Sequence, residues 1–144
     1  MRNEIKKFKQ KKELEKYKKM NFNSAQLDQI KKGIKNGVDV SHYAKLEFND
    51  WQMQEIRWGL EEKFDVEIFA KPEYDYKQMS QIRWGLQSKV DISQYASPKY
   101  DAFQMYQIRW GLEQGVDISK YANPQNSWEE MNKILEKLLK NRKK

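Results

Sequence analysis

A constant spacing of 26 residues runs through most of the chain and limits what it can fold into. A Leu or Met precedes an Ile by three residues in each copy. The isoleucines are Ile30, Ile56, Ile82, Ile108 and Ile134, and the preceding residues are Leu27, Met53, Met79, Met105 and Met131. A repeat this short cannot bury its apolar face alone, so neighbouring copies must stack in a quasi-linear array.

Each copy opens with the signature of a helix start. An N-cap residue is followed three positions later by Gln or Glu, which is the spacing of a capping box. The caps are Asn23, Asn49, Asp75, Asp101 and Ser127. An aromatic residue precedes the first four caps and pairs with Leu or Met at the fourth helical position, as a hydrophobic staple requires. These aromatic residues are Phe22, Phe48, Tyr74 and Tyr100.

The helix that follows has one apolar face. Met53, Ile56 and Leu60 share it at helical spacing, and Gly59, Gly85 and Gly111 recur beside it. Glycine inside a helix costs about 1 kcal/mol relative to alanine, so we expect close approach of a neighbouring helix to offset that loss. Gly37 and Gly115 stand where a residue in the left-handed conformation would end the helix. Lys63 and Lys89 hold that place in the middle copies, where we expect looser helix ends.

A second short motif completes each of the first four copies, as VDVSHYA, FDVEIFA, VDISQYA and VDISKYA. Its aspartate is placed to cap one further helical turn, and its aromatic residue should point into the seam between repeats. The aspartates are Asp39, Asp65, Asp91 and Asp117, and the aromatic residues are Tyr43, Phe69, Tyr95 and Tyr121. The spacing lacks the D-x-D-x-D-G loop and the distal Glu of a calcium site, so capping explains the aspartates better.

These patterns predict an all-α protein, a short α-solenoid of about five helix plus short-helix repeats with a charged N-terminal helix. We expect one continuous domain. Its segments are a basic cap at 1–21, repeats at 22–47, 48–73, 74–99 and 100–125, and a C-terminal half-repeat helix with a basic tail at 126–144.

The pattern aromatic-[ND]-x-x-Q-M-x-x-I-R-x-G-L-x-x-G-V-D-[VI]-S-x-Y-A resembles short helical arrays in poorly characterised proteins of Gram-positive bacteria, their phages, plasmids and conjugative elements. The resemblance covers residues 22 to about 136. It implies an origin on a mobile element, where small binding proteins often inhibit host enzymes or defence complexes, as anti-CRISPR-type inhibitors do. It implies no catalytic residue.

The net charge of +7 is unevenly distributed. Residues 1–20 carry nine basic and three acidic side chains, residues 137–144 carry five basic ones, and residues 21–136 come to −4. The segment 1–20 is an imperfect amphipathic helix that suits RNA, DNA, an anionic membrane or an acidic protein. The alternative is a solvated cap helix, with the final NRKK a solubilising tail.

A row of tryptophans should face away from the core. At 100° per residue, Trp58 lies about 140° from Met53 and about 160° from Leu60. The row comprises Trp58, Trp84 and Trp110, with Trp51, Phe103 and Tyr106 on the same outer face and Arg57, Arg83 and Arg109 beside it. The end copies carry Lys32 and Glu136 instead, so the fold does not require an aromatic ring there.

These nine aromatic and arginine side chains are therefore predicted to bind a partner. The alternative is that the short motif or the N-terminal helix covers the rings. We favour a protein partner, because the rings should be about 8–10 Å apart, too far for consecutive stacked bases, and because the repeat tract is acidic. DNA or RNA held by the Trp and Arg rows and the basic termini is the alternative partner.

Catalytic chemistry finds little support. His42 is the single histidine, the chain has no cysteine, and no nucleophile has an obvious base partner. We predict a non-enzymatic protein with no catalytic residue, cofactor or metal. No apolar run suits a signal peptide or a membrane span, which favours the cytoplasm.

Overall fold

The computed structural model describes residues 2–142, and this part of the chain contains helices and no strand. The α-helices are α1 (Arg2–Lys18), α2 (Ser24–Lys35), α3 (Asp50–Glu61), α4 (Tyr76–Gln87), α5 (Ala102–Glu113) and α6 (Trp128–Arg142). A single-turn 3-10 helix follows each of α2 to α5, at Val40–His42, Val66–Ile68, Ile92–Gln94 and Ile118–Lys120.

The chain divides into an N-terminal unit, Met1–Pro72, and a C-terminal unit, Glu73–Lys144. In the N-terminal unit α1 packs against α2 and α2 against α3, and in the C-terminal unit α4 packs against α5 and α5 against α6. Within each unit consecutive helices pack against each other in a repeating arrangement, which confirms the predicted all-α fold of a short α-solenoid. The single continuous domain stays a prediction.

Reciprocal capping boxes start four of the five helices for which they were predicted, and at the fifth the Ser127 hydroxyl accepts from the Glu130 amide at 3.2 Å. The Asn23 side chain accepts a hydrogen bond from the Gln26 amide at 2.8 Å, and the Gln26 side chain accepts one from the Asn23 amide at 2.9 Å. The same pair of bonds forms at Asn49, Asp75 and Asp101. Each such cap contributes about 1 kcal/mol, so every repeat fixes its own helix start.

The inward face of the helices matches the predicted stripe except at its last position. The repeated isoleucines from Ile30 to Ile108 and methionines from Met53 to Met131 are fully buried, whereas Leu60 is half-buried at the margin of the core. The aromatic residues before the first four caps are buried too. Leu27 and Ile134, in the first and last copies, are also half-buried. The core of each unit is therefore built from the buried Met and Ile side chains of the helices, the apolar residues of the short turns and the aromatic rings.

The helix glycines are explained differently from our prediction. The nearest atoms to each of them belong to the short turn of the same repeat rather than to a neighbouring helix. A Cβ at Gly85 would collide with the hydroxyl of Tyr95 and would lie 2.7 Å from Ile92 Cγ2. The Tyr95 hydroxyl is thereby free to donate to the backbone carbonyl of Gln81 at 2.5 Å. The Tyr95 ring, which we predicted to point into the seam between repeats, therefore packs against the helix of its own repeat. Tyr43 and Tyr121 make the same hydrogen bond to their own helices.

The four short turns are capped by their aspartates, as predicted. The Asp117 carboxylate accepts hydrogen bonds from the Ser119 hydroxyl at 2.6 Å and from the Ser119 amide at 3.1 Å. These bonds stabilise the ionised carboxylate, so they hold the pKa of Asp117 below its ordinary value.

Left-handed residues end α2 to α5, as predicted for the two glycines, whereas the looser ends expected at Lys63 and Lys89 are not found. Gly37 and Gly115 have φ of 77° and 73°, and Lys63 and Lys89 adopt 66° and 61°. At Lys89 the amide bonds to the Leu86 carbonyl, and the Val90 amide bonds to the Gly85 carbonyl. This is a Schellman ending, here built on a lysine whose Cβ strains the backbone.

The terminal helices cover the ends of their own units. In the N-terminal unit Tyr17 of α1 is buried, and the Gln10 side chain donates to the Ile34 carbonyl of α2 at 2.9 Å. This favours the cap-helix alternative for most of the basic segment. In the C-terminal unit α6 reaches Arg142, which donates to the Gln114 carbonyl at the end of α5. The prediction that NRKK is merely a tail is therefore wrong for Asn141 and Arg142, and Lys143 and Lys144 lie outside the described residues.

Replacing Lys89 by glycine should raise the free energy of unfolding by about 0.5–1 kcal/mol, because glycine adopts positive φ without strain. Urea unfolding followed by circular dichroism measures the change. The matched control is Gly115→Lys. A side chain at this position has open space, but the backbone has a similar positive φ, so the free energy of unfolding should fall by a comparable amount. Equal stability of all three proteins would contradict the assignment of strain to Lys89.

Gly85→Ala should destabilise the protein by about 1–3 kcal/mol, although alanine is the better helix former, because the added methyl meets the Tyr95 hydroxyl. Tyr95→Phe alone should cost about 1 kcal/mol through the lost hydrogen bond. The double variant should lose less than the sum of the two, since the clash partly disappears. Strict additivity in urea unfolding would show that glycine and tyrosine do not interact.

Candidate functional site

An open groove of about 530 Å³ crosses the outer side of the C-terminal unit. Helices α4 and α5 form its walls, and the first residue of α6 closes one end. The lining is dominated by five large aromatic residues, Tyr76, Trp84, Phe103, Tyr106 and Trp128. Lys77 is the one charged residue of the lining, so the groove is an apolar surface with a single cation at its edge.

The aromatic rings are in contact with solvent because the capping boxes set the rotation of each helix. When Met79 and Ile82 point into the core, Trp84 must point outward, and its side chain is 40% exposed. Phe103 stands near the start of α5 and is 60% exposed, while Tyr106 lies one turn later. Large apolar side chains this exposed lie in a continuous patch here, which is typical of interaction sites.

Two rings meet where α5 and α6 begin. The ring centroids of Phe103 and Trp128 are 5.9 Å apart, and the planes are inclined by 33°. Aromatic pairs at this separation attract each other beyond the area that they bury. The pair therefore forms a firm end wall for the groove.

Arg109 stabilises the opposite wall rather than facing solvent. Its guanidinium carbon lies 5.6 Å from the Trp84 ring centroid and 5.4 Å from that of Tyr106. Its Nε donates to the Gln81 side chain at 2.9 Å, and a terminal nitrogen donates to the Glu113 carboxylate at 2.7 Å. The cation is thus held between two rings and neutralised, which fixes both rings in place.

The N-terminal unit repeats this arginine arrangement. Arg57 donates to the Gln29 side chain at 3.0 Å and to the Glu61 carboxylate at 2.7 Å, and its guanidinium lies 5.9 Å from the Trp58 ring centroid. Arg57 and Arg83 are both buried. The prediction that they contact a partner beside the tryptophans is therefore wrong for these two residues, since their side chains are used inside the fold.

The other predicted site residues are placed less uniformly. Trp58 is 36% exposed, Trp51 is more exposed, and both lie on α3 in the N-terminal unit. Trp110 is half-buried, with its ring centroid 6.1 Å from that of Tyr106, and it does not line the groove. The alternative in which a second layer seals the rings does not hold for Trp51, Trp58 or Trp84.

Tyr76 and Trp128 belong to the groove but were missed from the sequence. Both occupy the first helical position of their copies. The helical-wheel prediction was based on residues in the middle of the helix and did not include this position. The sequence does contain a signal that could have identified Trp128. Residues 25 positions apart contact each other between neighbouring repeats of one unit. Hydrogen bonds at that offset are Asn36–Glu61, Ser88–Glu113 and Asn132–Gln107, and Phe103 and Trp128 have the same offset.

The polar groups beneath the groove are already paired. The buried Gln81 accepts from Arg109, and the buried Gln107 accepts from the Asn132 side chain at 3.0 Å. The Ser80 hydroxyl donates to the Tyr76 carbonyl at 2.9 Å. Within residues 2–142 no buried side-chain nitrogen or oxygen lacks a hydrogen-bond partner. The groove therefore presents mainly apolar and ring surface, and the buried polar groups beneath it are satisfied within the fold.

The titratable groups near the core serve the fold. Burial raises the pKa of Tyr43, Tyr95 and Tyr121, so their hydroxyls stay protonated and donate to backbone carbonyls. His42 contacts the Glu67 carboxylate at 2.9 Å on the surface of the N-terminal unit. No group of three or more His, Asp or Glu side chains in the described part of the chain is arranged to hold a metal ion.

Among residues 2–142 no helix has the length and apolar character that crossing a membrane requires. The chain matches no protein-family model, and comparisons with curated proteins and with solved structures found no match either.

Proposed function

We propose that the protein is a non-enzymatic binding module whose aromatic groove in the C-terminal unit docks a protein partner. The observation that carries the proposal is the open lining itself, five large aromatic side chains with a single charged neighbour. Trp and Tyr are enriched among the residues that dominate binding energy at protein interfaces. Because Arg109 and the Phe103–Trp128 pair hold the rings in place, little side-chain entropy is lost when a partner binds.

The occupant that fits best is an amphipathic helix. Two packed helices wall a groove of about 530 Å³, which suits the apolar anchors of a third helix at i, i+3 or i+4 and i+7. Paired polar groups beneath the groove offer few directional bonds to an extended peptide backbone. Lys77 favours an acidic residue at the end of the bound helix that lies beside it.

A protein suits the groove better than nucleic acid does. Bases would stack on the rings, but phosphates need nearby cations that are not already neutralised. Arg109 is paired with Glu113, and Arg83 is buried, so the arginines beside Trp84 do not serve that role. Residues 73–142 carry ten basic and nine acidic side chains, which gives little long-range attraction for a polyanion.

The finer proposal is inhibition of a host enzyme or defence complex by a mobile-element protein. It rests on the resemblance of the repeat pattern to arrays in Gram-positive bacteria and their mobile elements. Inhibition of this kind needs no catalytic chemistry in the inhibitor. When a helix of the target binds in the apolar groove, that helix can no longer make its usual contacts within the target.

Selection from a displayed library of helical peptides tests the groove without a known partner. We expect recovered peptides to carry an apolar stripe and an acidic end. In fluorescence anisotropy, Trp84→Ala and Phe103→Ala should each weaken the binding of a recovered peptide at least about tenfold, or about 1.4 kcal/mol. The thermal stability of Phe103→Ala should change little, because that side chain is 60% exposed. Trp84→Ala should lower it modestly, because the ring is partly buried and packs against Arg109.

Two matched variants serve as controls. Phe8→Ala removes a ring that is 67% exposed from α1 of the N-terminal unit, and Leu46→Ala removes an exposed apolar side chain of the same unit that lies outside the groove lining. Both should bind the peptide as the unchanged protein does. Equal loss in all four variants, or a failure to recover any helical peptide, would contradict docking in the groove.

A further inference from the structure

The positive charge of the described chain is concentrated on its first two helices. Residues 2–35 carry twelve basic and four acidic side chains, a net charge of +8. Residues 36–142 carry fourteen basic and seventeen acidic side chains, a net charge of −3. The N-terminal unit therefore has a strongly basic face formed by α1 and α2.

A groove on this face is lined by lysines from both helices. Lys7 and Lys11 come from α1, and Lys31 and Lys35 come from α2. The groove has a volume of about 260 Å³, and the apolar parts of its floor are Leu14 and Ile34. The hydrogen bond from Gln10 to the Ile34 carbonyl joins the two helices at this point, so the four lysines are held on one surface.

None of these four lysines forms an ion pair with another described residue. Two carboxylates at helical spacing from these lysines pair with other residues, Glu15 with Lys18 at 3.5 Å and Asp28 with Lys32 at 3.0 Å. A third carboxylate, Glu4, stands three positions before Lys7 on α1. On each helix the two lysines are four positions apart, a spacing at which like charges repel and destabilise the helix. Lys35 lies in the last turn of α2, where the helix dipole stabilises a cation. Lys7 and Lys11 lie in the interior of α1, where the dipole gives no such stabilisation.

We propose that this four-lysine groove binds the phosphate backbone of nucleic acid without reading its sequence. Lysine ammonium groups on flexible stems act as point charges toward phosphates, and two rows of them on adjacent helices suit a linear polyanion. The groove offers no base-stacking ring and no hydrogen-bonding array for base edges. This site is separate from the aromatic groove and does not depend on the proposed function.

Other polyanions fit the basic face less well. A membrane-bound helix needs a continuous apolar face, but the exposed apolar residues within α1 are Ile5 and Phe8, which point away from the groove among further lysines. An acidic protein would gain little beyond charge, because a floor with two aliphatic side chains offers no anchoring pocket. Both remain as outcomes of the test.

Fluorescence anisotropy with short labelled DNA and RNA duplexes and single strands, at rising potassium chloride concentration, measures the binding. For four phosphate contacts we expect the logarithm of the association constant to fall against the logarithm of salt concentration with a slope of about −3 to −4. Replacing Lys7, Lys11, Lys31 and Lys35 together by Gln should weaken binding at least about tenfold and flatten the slope. The DNA and RNA arms show which nucleic acid supplies the phosphates.

The matched control replaces Lys9, Lys12, Lys16 and Lys19 by Gln, which removes the same charge from a surface where Glu13 and Glu15 are interspersed. Its affinity should fall much less than that of the groove variant. Equal losses would show that only net charge matters and would overturn the site. Absence of duplex and single-strand binding, with groove-dependent binding to vesicles containing phosphatidylglycerol or to polyglutamate, would overturn the choice of nucleic acid.

Circular dichroism and thermal unfolding confirm that each variant is folded. Trp84→Ala leaves the lysines in place and should bind nucleic acid as the unchanged protein does. Failure of the peptide selection therefore does not affect this proposal, and failure of nucleic-acid binding does not affect the proposed docking of a helix.

Discussion

The contact between the helix glycine and the aromatic ring of the following short turn determines the shape of every repeat. In the third copy, Gly85 lets Tyr95 approach so closely that its hydroxyl reaches a backbone carbonyl of the same helix. The second copy has Phe69 over Gly59 instead, so the packing of the ring persists where the hydrogen bond is absent. The short turn is thereby locked to one side of its helix. This leaves the outer side, which carries the tryptophans, without a covering element from its own repeat.

A second recurrent interaction joins neighbouring copies and prepares the aromatic surface. Arg57 and Arg109 each donate one hydrogen bond to a buried glutamine 28 residues earlier in the chain. Each also donates one to a glutamate four residues later. The guanidinium is desolvated, but its charge is neutralised and its donors are satisfied, so burial is tolerated. Its flat face then supports the indole ring beside it. The arginines therefore hold the rings of the aromatic surface, and their own charges are paired within the fold.

Much of the fold follows from the sequence because its signals are local. Capping boxes, left-handed helix ends and capped short turns each involve residues a few positions apart, and the 26-residue period repeats them in register. The reason for Gly85 was misjudged because it depends on a contact with Tyr95, ten residues away and across a turn whose direction the periodicity does not reveal. The arginines were misjudged for a similar reason. An arginine next to a tryptophan on the helical wheel can bend inward, and only the offset of 28 residues to Gln29 or Gln81 shows that it does so.

One pair of positions shows that the fold does not require large rings on the outer face of α5. In α2 the pair at helical spacing is Asp28 and Lys32, which form an ion pair of 3.0 Å. In α5 the equivalent pair is Tyr106 and Trp110, whose ring centroids are 6.1 Å apart. Both helices keep the same capping box, the same buried isoleucine and the same glycine under a tyrosine. The repeat fold therefore tolerates a solvated ion pair at these two positions. Exposed rings raise the risk of aggregation, so the large rings in α5 need an explanation other than folding. A partner that covers them supplies one.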